Sequence, residues 1–266
     1  MIVNIARALS NLATFRAVLQ AFKFEIEPFL KLLFMNLLAF DTSTEQMSIA
    51  VQRRGAAMPW QHTAAGGAHS STHLIPDIQR LMTQAGLRFD QLDAIVFGAG
   101  PGSFTGLRTA CSVAQGLAFG AAVPVLPVNT LLAVAEEARV QTGDADHWVV
   151  TALLDARMDE LYAASYRYES GLWRQIKGCS LIKPESLGWD GSGVLAGNVF
   201  AAYGARLPDG PGLRVLALPT ASAMLRLAPA LLAAGAAVSA AQALPTYIRD
   251  KVAQTTLERA AAKSAP

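Results

Sequence analysis

Leu37 to Phe40 forms a continuous apolar run, Asp41-Thr42-Ser43-Thr44 is turn chemistry, and Met47, Ile49 and Val51 then alternate with Ser48 and Ala50. A buried strand, a tight turn and a second strand with one buried face make a β-hairpin. The same order returns 114 residues later, where Val149 to Leu154 runs into Asp155, and Tyr162, Ala164 and Tyr166 alternate with Leu161, Ala163 and Ser165. Asp41 thereby matches Asp155, Met47 matches Leu161, and a strand ending in glycine follows each hairpin, Ala94 to Gly98 and Val194 to Gly197. The repetition predicts two related α/β domains, each an open mixed sheet with flanking helices.

Between the strands the apolar period changes to that of a helix. Leu74, Ile75, Ile78, Leu81, Met82 and Ala85 form one stripe, and Gly86 supplies the stop, so a helix is expected over Thr72 to Ala85. A second is expected from Phe104 to Phe119, with Thr109, Ala110, Ser112, Ala114, Gly116 and Ala118 giving it a slim surface that another helix can approach closely. Ala221 to Ala234 reads as a third helix, Ala243 to Ile248 as an extended return, and the residues after Arg259 as a frayed tail. Glu136 to Asp146 reads as a polar connection between the domains. The expected division is an N-terminal extension over 1–34, a first domain over 35–140, and a second domain with its tail over 141–266. Met35 opens directly into strand pattern and is the favoured translation start.

At 266 residues the chain is long enough for two cores, and 52% hydrophobic against 16% charged residues excludes a disordered chain. The net charge of +2 arises within the first 34 residues, leaving eighteen basic and eighteen acidic residues from Met35 onward. A neutral body does not hold nucleic acid unaided, because phosphate neutralisation supplies most of such affinity, so any RNA role requires a partner. Cys111 and Cys179 carry neither disulfide nor zinc spacing and read as buried thiols in a reducing cytoplasm. Two uncharged stretches, Thr109 to Ala135 and Leu227 to Ile248, are long enough to span a bilayer. Their prolines, polar residues and alanine-dominated composition argue against insertion.

The densest local signal is Gly98-Ala99-Gly100-Pro101-Gly102-Ser103-Phe104-Thr105-Gly106, which joins a strand to a helix. Glycines permit close backbone approach and a helix start presents free N–H groups, so the segment suits an anion or a tight capped turn. It has neither the third glycine of a dinucleotide fingerprint nor the lysine of a phosphate loop, and Ser103 lacks the flanking glycines of a nucleophile elbow. Asp41 with its three hydroxyl neighbours suits a phosphate or metal site, or an ordinary turn. His69 and His73 have i,i+4 spacing without the acid of a metalloprotease helix, and His69 is expected ahead of the helix.

Leu38-Ala39-Phe40-Asp41-Thr42-Ser43-Thr44, the segment from Gly98 through Leu107-Arg108, Ala114-Gln115-Gly116-Leu117-Ala118 and Leu154-Asp155-Ala156-Arg157-Met158-Asp159-Glu160 together resemble the bacterial TsaB (YeaZ) family, from about Met35 to Ile248. The resemblance implies an actin-like (ASKHA, ribonuclease H-like) duplicated fold and a part in making threonylcarbamoyladenosine beside the anticodon of tRNAs. It implies a noncatalytic subunit that pairs with a catalytic paralogue, TsaD, and is joined by the small ATPase TsaE. On that alignment Thr130 and Val134 stand where the paralogue has its metal-binding histidines, so no metal is expected. Ala156-Arg157-Met158 occupies a turn where actin-like kinases need glycine, and no double-glycine loop lies near Gly197-Asn198.

Asp41, Thr42, Ser43, Gly100, Gly102, Ser103, Thr105 and Gly106 are therefore expected to be the remnant of a nucleotide or anion site. No catalytic residue and no resident cofactor are expected, with weak nucleotide binding confined to a complex interface. The resemblance places the partner surface on the first two helices, with Leu74, Ile78, Leu81, Met82, Thr109, Ser112, Val113 and Gly116 as its residues. The same surface would serve a homodimer, and no membrane contact is expected. The alternative is an ATP-dependent small-molecule kinase of the actin-like superfamily; a peptidase finds no nucleophile or metal set here.

Overall fold

The structure is a computed structural model that describes residues 34–143 and 147–248. The expected N-terminal extension, apart from Phe34, and the expected frayed tail lie outside the described residues. The first lobe contains β1 (Leu37–Asp41), β2 (Gln46–Gln52), β3 (Trp60–Ala65), α1 (Ala68–Ala85), β4 (Ala94–Gly100), α2 (Phe104–Ala121) and β5 (Val125–Asn129). Then come α3 (Thr130–Gln141), β6 (His147–Arg157), β7 (Glu160–Glu169), β8 (Leu172–Ile182), β9 (Val194–Gly197), the single turn α4 (Phe200–Tyr203), β10 (Leu213–Leu216) and α5 (Ala221–Ala233).

The duplication read from the hairpins is complete at the level of topology. The first sheet runs β3-β2-β1-β4-β5 and the second, taken from its other edge, β8-β7-β6-β9-β10. In both, the hairpin strands are antiparallel, and the later strands join the first one in parallel. This is the duplicated actin-like α/β fold.

Central strands are covered on both faces, which is why they read as continuous apolar runs. Along β1, Leu38 and Phe40 pack into the cluster under α1 and α2, while Leu37 and Ala39 pack into the cluster under α5. β4 repeats the alternation, with Ile95 and Phe97 on one side and Ala94 and Val96 on the other. In the second lobe α3 covers one face through Leu131, Val134, Ala135 and Ala138 against Val150, Ala152 and Leu154. Leu153 and Leu195 pack on the opposite face with Val199, Tyr203 and Leu207.

Packing does not follow chain order. α5, late in the chain, returns to lie on the first sheet, and α3 lies on the second, so the layers run first sheet, α5, α3, second sheet. The α3–α5 contact is therefore the junction between the lobes. It also corrects the reading of Glu136 to Asp146 as a polar connection: Glu136 to Gln141 is the last half of α3, and its charges are internal. Glu136 is buried and accepts from Arg226 Nε at 2.8 Å, Trp173 Nε1 at 3.0 Å and Arg139 Nε at 3.1 Å. Glu137 accepts from Arg226 Nη2 at 3.0 Å and Thr220 Oγ1 at 2.7 Å. Two acids and two arginines balance, and each acid is multiply bonded, as burial of charge demands.

The two uncharged stretches resolve into α2, β5 and α3, and into the end of α5 with an extended run. Among the described residues no helix is long and apolar enough to cross a membrane.

Candidate functional site

A cleft of about 480 Å³ opens between the lobes. Ser43, Thr44 and Glu45 from the β1–β2 turn, Gly66 and Gly67 ahead of α1, and Gly102 to Phe104 ahead of α2 form one wall. Leu154 to Met158, Tyr162 and Asn198 form the other, and Thr246 to Ile248 run along it. Of the eight residues expected at an anion site, Ser43, Gly102 and Ser103 reach this wall. The other five lie behind or beside it, and the reason is the packing of one turn on another.

Thr42 Oγ1 donates to the Gly106 carbonyl at 2.7 Å, and the Ser103 N–H donates to the Ser43 carbonyl at 2.7 Å. A Cβ on Gly106 would stand 1.9 Å from the Thr42 oxygen, and one on Gly102 would stand 2.7 Å from Ser43. These glycines let the start of α2 dock on the hairpin turn. Gly100, with φ +118, lets Thr246 approach, and the Thr246 N–H donates to the Ala99 carbonyl at 2.6 Å. Ser103 caps α2 by accepting from the Gly106 N–H at 3.4 Å. Thr105 is exposed on the first turn of α2. The Ser103 N–H, which an anion cradle would use, is already spent inside the chain.

Asp41 is fully buried beneath this turn. Its Oδ1 accepts from the Ser43 N–H at 3.0 Å and Oγ at 2.8 Å, whereas Oδ2 has no hydrogen-bond partner. That oxygen presses on Gly98, where a Cβ would meet it at 1.7 Å. Burial pushes the carboxyl pKa up to about 7, against the lowering effect of the Ser43 bonds.

On the facing wall the β6–β7 turn carries side chains in a backbone that favours glycine. Arg157, Met158 and Asp159 have φ of 62°, 56° and 60°. Neighbouring contacts hold them there. Asp155 Oδ1 accepts from the Arg157 N–H at 2.8 Å and from Tyr203 Oη at 3.0 Å, while Arg206 donates to Asp159 at 2.9 Å and to Glu185. Met158→Gly relieves the left-handed strain at an exposed position and is expected to raise stability by about 1 kcal/mol, read as a higher thermal midpoint.

Among the described residues no three His, Cys, Asp or Glu side chains gather as a metal site. Thr130 and Val134 are buried on α3, with Thr130 Oγ1 donating to the Pro101 carbonyl. α1 begins at Ala68, earlier than the apolar stripe predicts, so His69 lies inside the helix; its side chain is outside the described residues and His73 is exposed. Cys111 Sγ donates to the Ala243 carbonyl at 3.3 Å, and burial raises its thiol pKa and pushes that of Cys179 up to about 11.

The outer helix surface differs from its expected composition. Leu74, Ile78, Leu81 and Met82 are at most 2% exposed and belong to the first-lobe core, so they are corrected from partner anchors to core residues. A single apolar stripe on α1 can serve only one face, and its own sheet takes it; Ile75 is what α1 leaves outward. On α2, the extended segment Ala243 to Ile248 covers one stripe. Gln115 Nε2 donates to the Ala243 carbonyl at 2.8 Å, and Arg108 Nε to Tyr247 Oη at 3.1 Å with its guanidinium 3.8 Å over Phe104. Ser112 and Gly116 face outward, flanked by the half-buried Thr109 and Val113.

The sequence assigned no role in this region to Glu45, Gly66, Gly67 and Tyr247, and marked Asn198 only by the lack of a double-glycine loop beside it. They come from four separate places in the chain, and the one usable signal was a glycine-ended strand before Asn198.

Comparison with known proteins shows what the chain as a whole is similar to. The family model for TsaD, tRNA N6-adenosine threonylcarbamoyltransferase, matches residues 61–263. The tRNA threonylcarbamoyladenosine biosynthesis protein TsaB of Escherichia coli (strain K12) is 34% identical over 238 residues, covering 82% of this chain and 96% of that protein. TsaB of Haemophilus influenzae is 35% identical over 232 residues, covering 82% and 95%. Among solved structures, YeaZ from Pseudomonas aeruginosa superposes with a TM-score of 0.72 at 37% identity, covering 80% of this chain and 99% of that one.

Proposed function

This chain belongs to the TsaB family and takes part in the biosynthesis of threonylcarbamoyladenosine on tRNA, and from that premise we propose that it acts there as a noncatalytic scaffold. In this reading it heterodimerises with TsaD, which performs the transfer, and the pair recruits TsaE. tRNA is reached through the complex, since the body of the chain is charge-neutral. The work is cytoplasmic and needs no metal or cofactor held by this chain.

One observation carries the noncatalytic part: key groups of a would-be anion site are bonded, sealed or replaced within the chain itself. The Ser103 N–H is bonded to Ser43, Asp41 is sealed behind Gly98, and the facing turn holds Arg157 and Met158 in place of glycine. Groups committed to internal bonds offer little differential stabilisation to a transition state. The slim outer face of α2 at Ser112 and Gly116 supports docking by close helix packing. The same face would serve self-association when TsaD is scarce.

Reconstitution checks the proposal. TsaD, TsaE, a threonylcarbamoyl-adenylate source and tRNA are combined with and without this chain, and modified nucleoside is quantified. The expected result is a loss of modification to near background without it. Equal yields would overturn the scaffold role.

A further inference from the structure

The lobes are joined at the back through α3 and α5, yet they also touch across the mouth of the cleft. Asn198 follows β9 in the second lobe, and its Nδ2 donates to both oxygens of Glu45 in the first lobe, at 3.1 and 3.3 Å. Its Oδ1 accepts from the Asp155 N–H at 3.0 Å, which anchors the side chain to its own lobe. Gly197, at φ +156 and with Leu153 O where a Cβ would stand at 1.8 Å, brings the start of this segment tightly against β6. One amide thus uses both ends, one on each lobe.

We propose that Asn198 is an interlobe clasp that holds the cleft in the single closed arrangement described here, in the place where a ligand would otherwise bridge the lobes. The physics is that of a lever. The Glu136, Glu137, Arg139 and Arg226 network, with Glu136 and Arg139 buried, lies at the α3–α5 junction between the lobes, and a rotation about that junction would move its groups little. The clasp lies at the mouth, where the same rotation separates partners most, so a bond there resists opening best. The pairing is charge-assisted, because the Glu45 carboxylate accepts from a neutral amide. It fixes the orientation of the second lobe relative to the face carrying α1 and α2. The clasp is a property of the isolated chain, so its failure is distinguishable from failure of the scaffold role.

The test places spin labels at two exposed positions, one on α1 of the first lobe and one on α4 of the second, through Thr72→Cys and Ala201→Cys, in a chain with Cys111→Ser and Cys179→Ser. Double electron–electron resonance reads the distance, and melting curves verify folding of every variant. The parent is expected to give one short distance. Asn198→Ala should add a longer component, with the open population rising about fivefold, the factor equivalent to about 1 kcal/mol for a partly exposed bond. Asn198→Asp keeps the acceptor for the Asp155 N–H but sets a carboxylate against Glu45, and should open further. Adding Glu45→Gln to Asn198→Asp restores a donor and should return the short distance. Identical distributions in the parent and Asn198→Ala, or failure of Glu45→Gln to reverse the opening, would overturn the clasp.

Discussion

Gly116→Arg is expected to abolish association with TsaD while the chain stays folded. Gly116 is exposed on α2, and a Cβ built there meets nothing within 4 Å, so the fold accommodates a side chain. Replacing glycine inside an exposed helix recovers up to about 1 kcal/mol of propensity, and the thermal midpoint should hold or rise. At a close helix–helix contact the same guanidinium removes the room for approach and buries a charge without a partner. A cost of about 3 kcal/mol corresponds to a loss of more than 100-fold in affinity. Co-purification and a binding isotherm with TsaD read the association, and a melting curve reads the fold. Retained affinity would move the interface away from this face. Val113 is the poorer probe, because it packs partly against the first-lobe core and its substitution mixes folding with docking.

Asp41→Asn should remove most of a pH dependence of stability confined to the window between pH 4 and 7. The carboxyl's ordinary pKa of 3.8 applies in the unfolded chain, and burial raises it to about 7 in the fold. Between those values the folded state binds the proton more strongly than the unfolded state, so this group's contribution is fully present below about pH 4 and is lost as pH rises through 7. Three pKa units correspond to about 4 kcal/mol. Asparagine keeps an oxygen for the Ser43 N–H and hydroxyl and has no charge to desolvate. The measurement is urea unfolding of parent and variant at pH 5 and pH 8. The variant should gain stability relative to the parent at the higher pH, and a constant difference between the two would refute the assignment.

Part of the site is legible in the sequence and part is not. The turn at Asp41 to Thr44 and the glycine segment from Gly98 to Gly106 are each contiguous, so their chemistry reads directly. That they pack on one another does not, because the bond between Thr42 and Gly106 spans 64 residues. The stripe of Leu74, Ile78, Leu81 and Met82 announces a buried face, and periodicity alone does not say whether the covering surface is the chain's own sheet or another protein. Glu136 and Glu137 read as linker residues because composition reports charge but not the arginine that arrives from α5.

From order and alternation alone came the hairpins, their duplication and the helices, since each follows from local sterics and from which side of an element must leave water. Tertiary structure decided which lobe owns each helix, that α3 and α5 lie back to back between the sheets, and that Asn198 meets Glu45 across the cleft. Such contacts depend on the sum of many backbone directions, and no short window of sequence contains that sum.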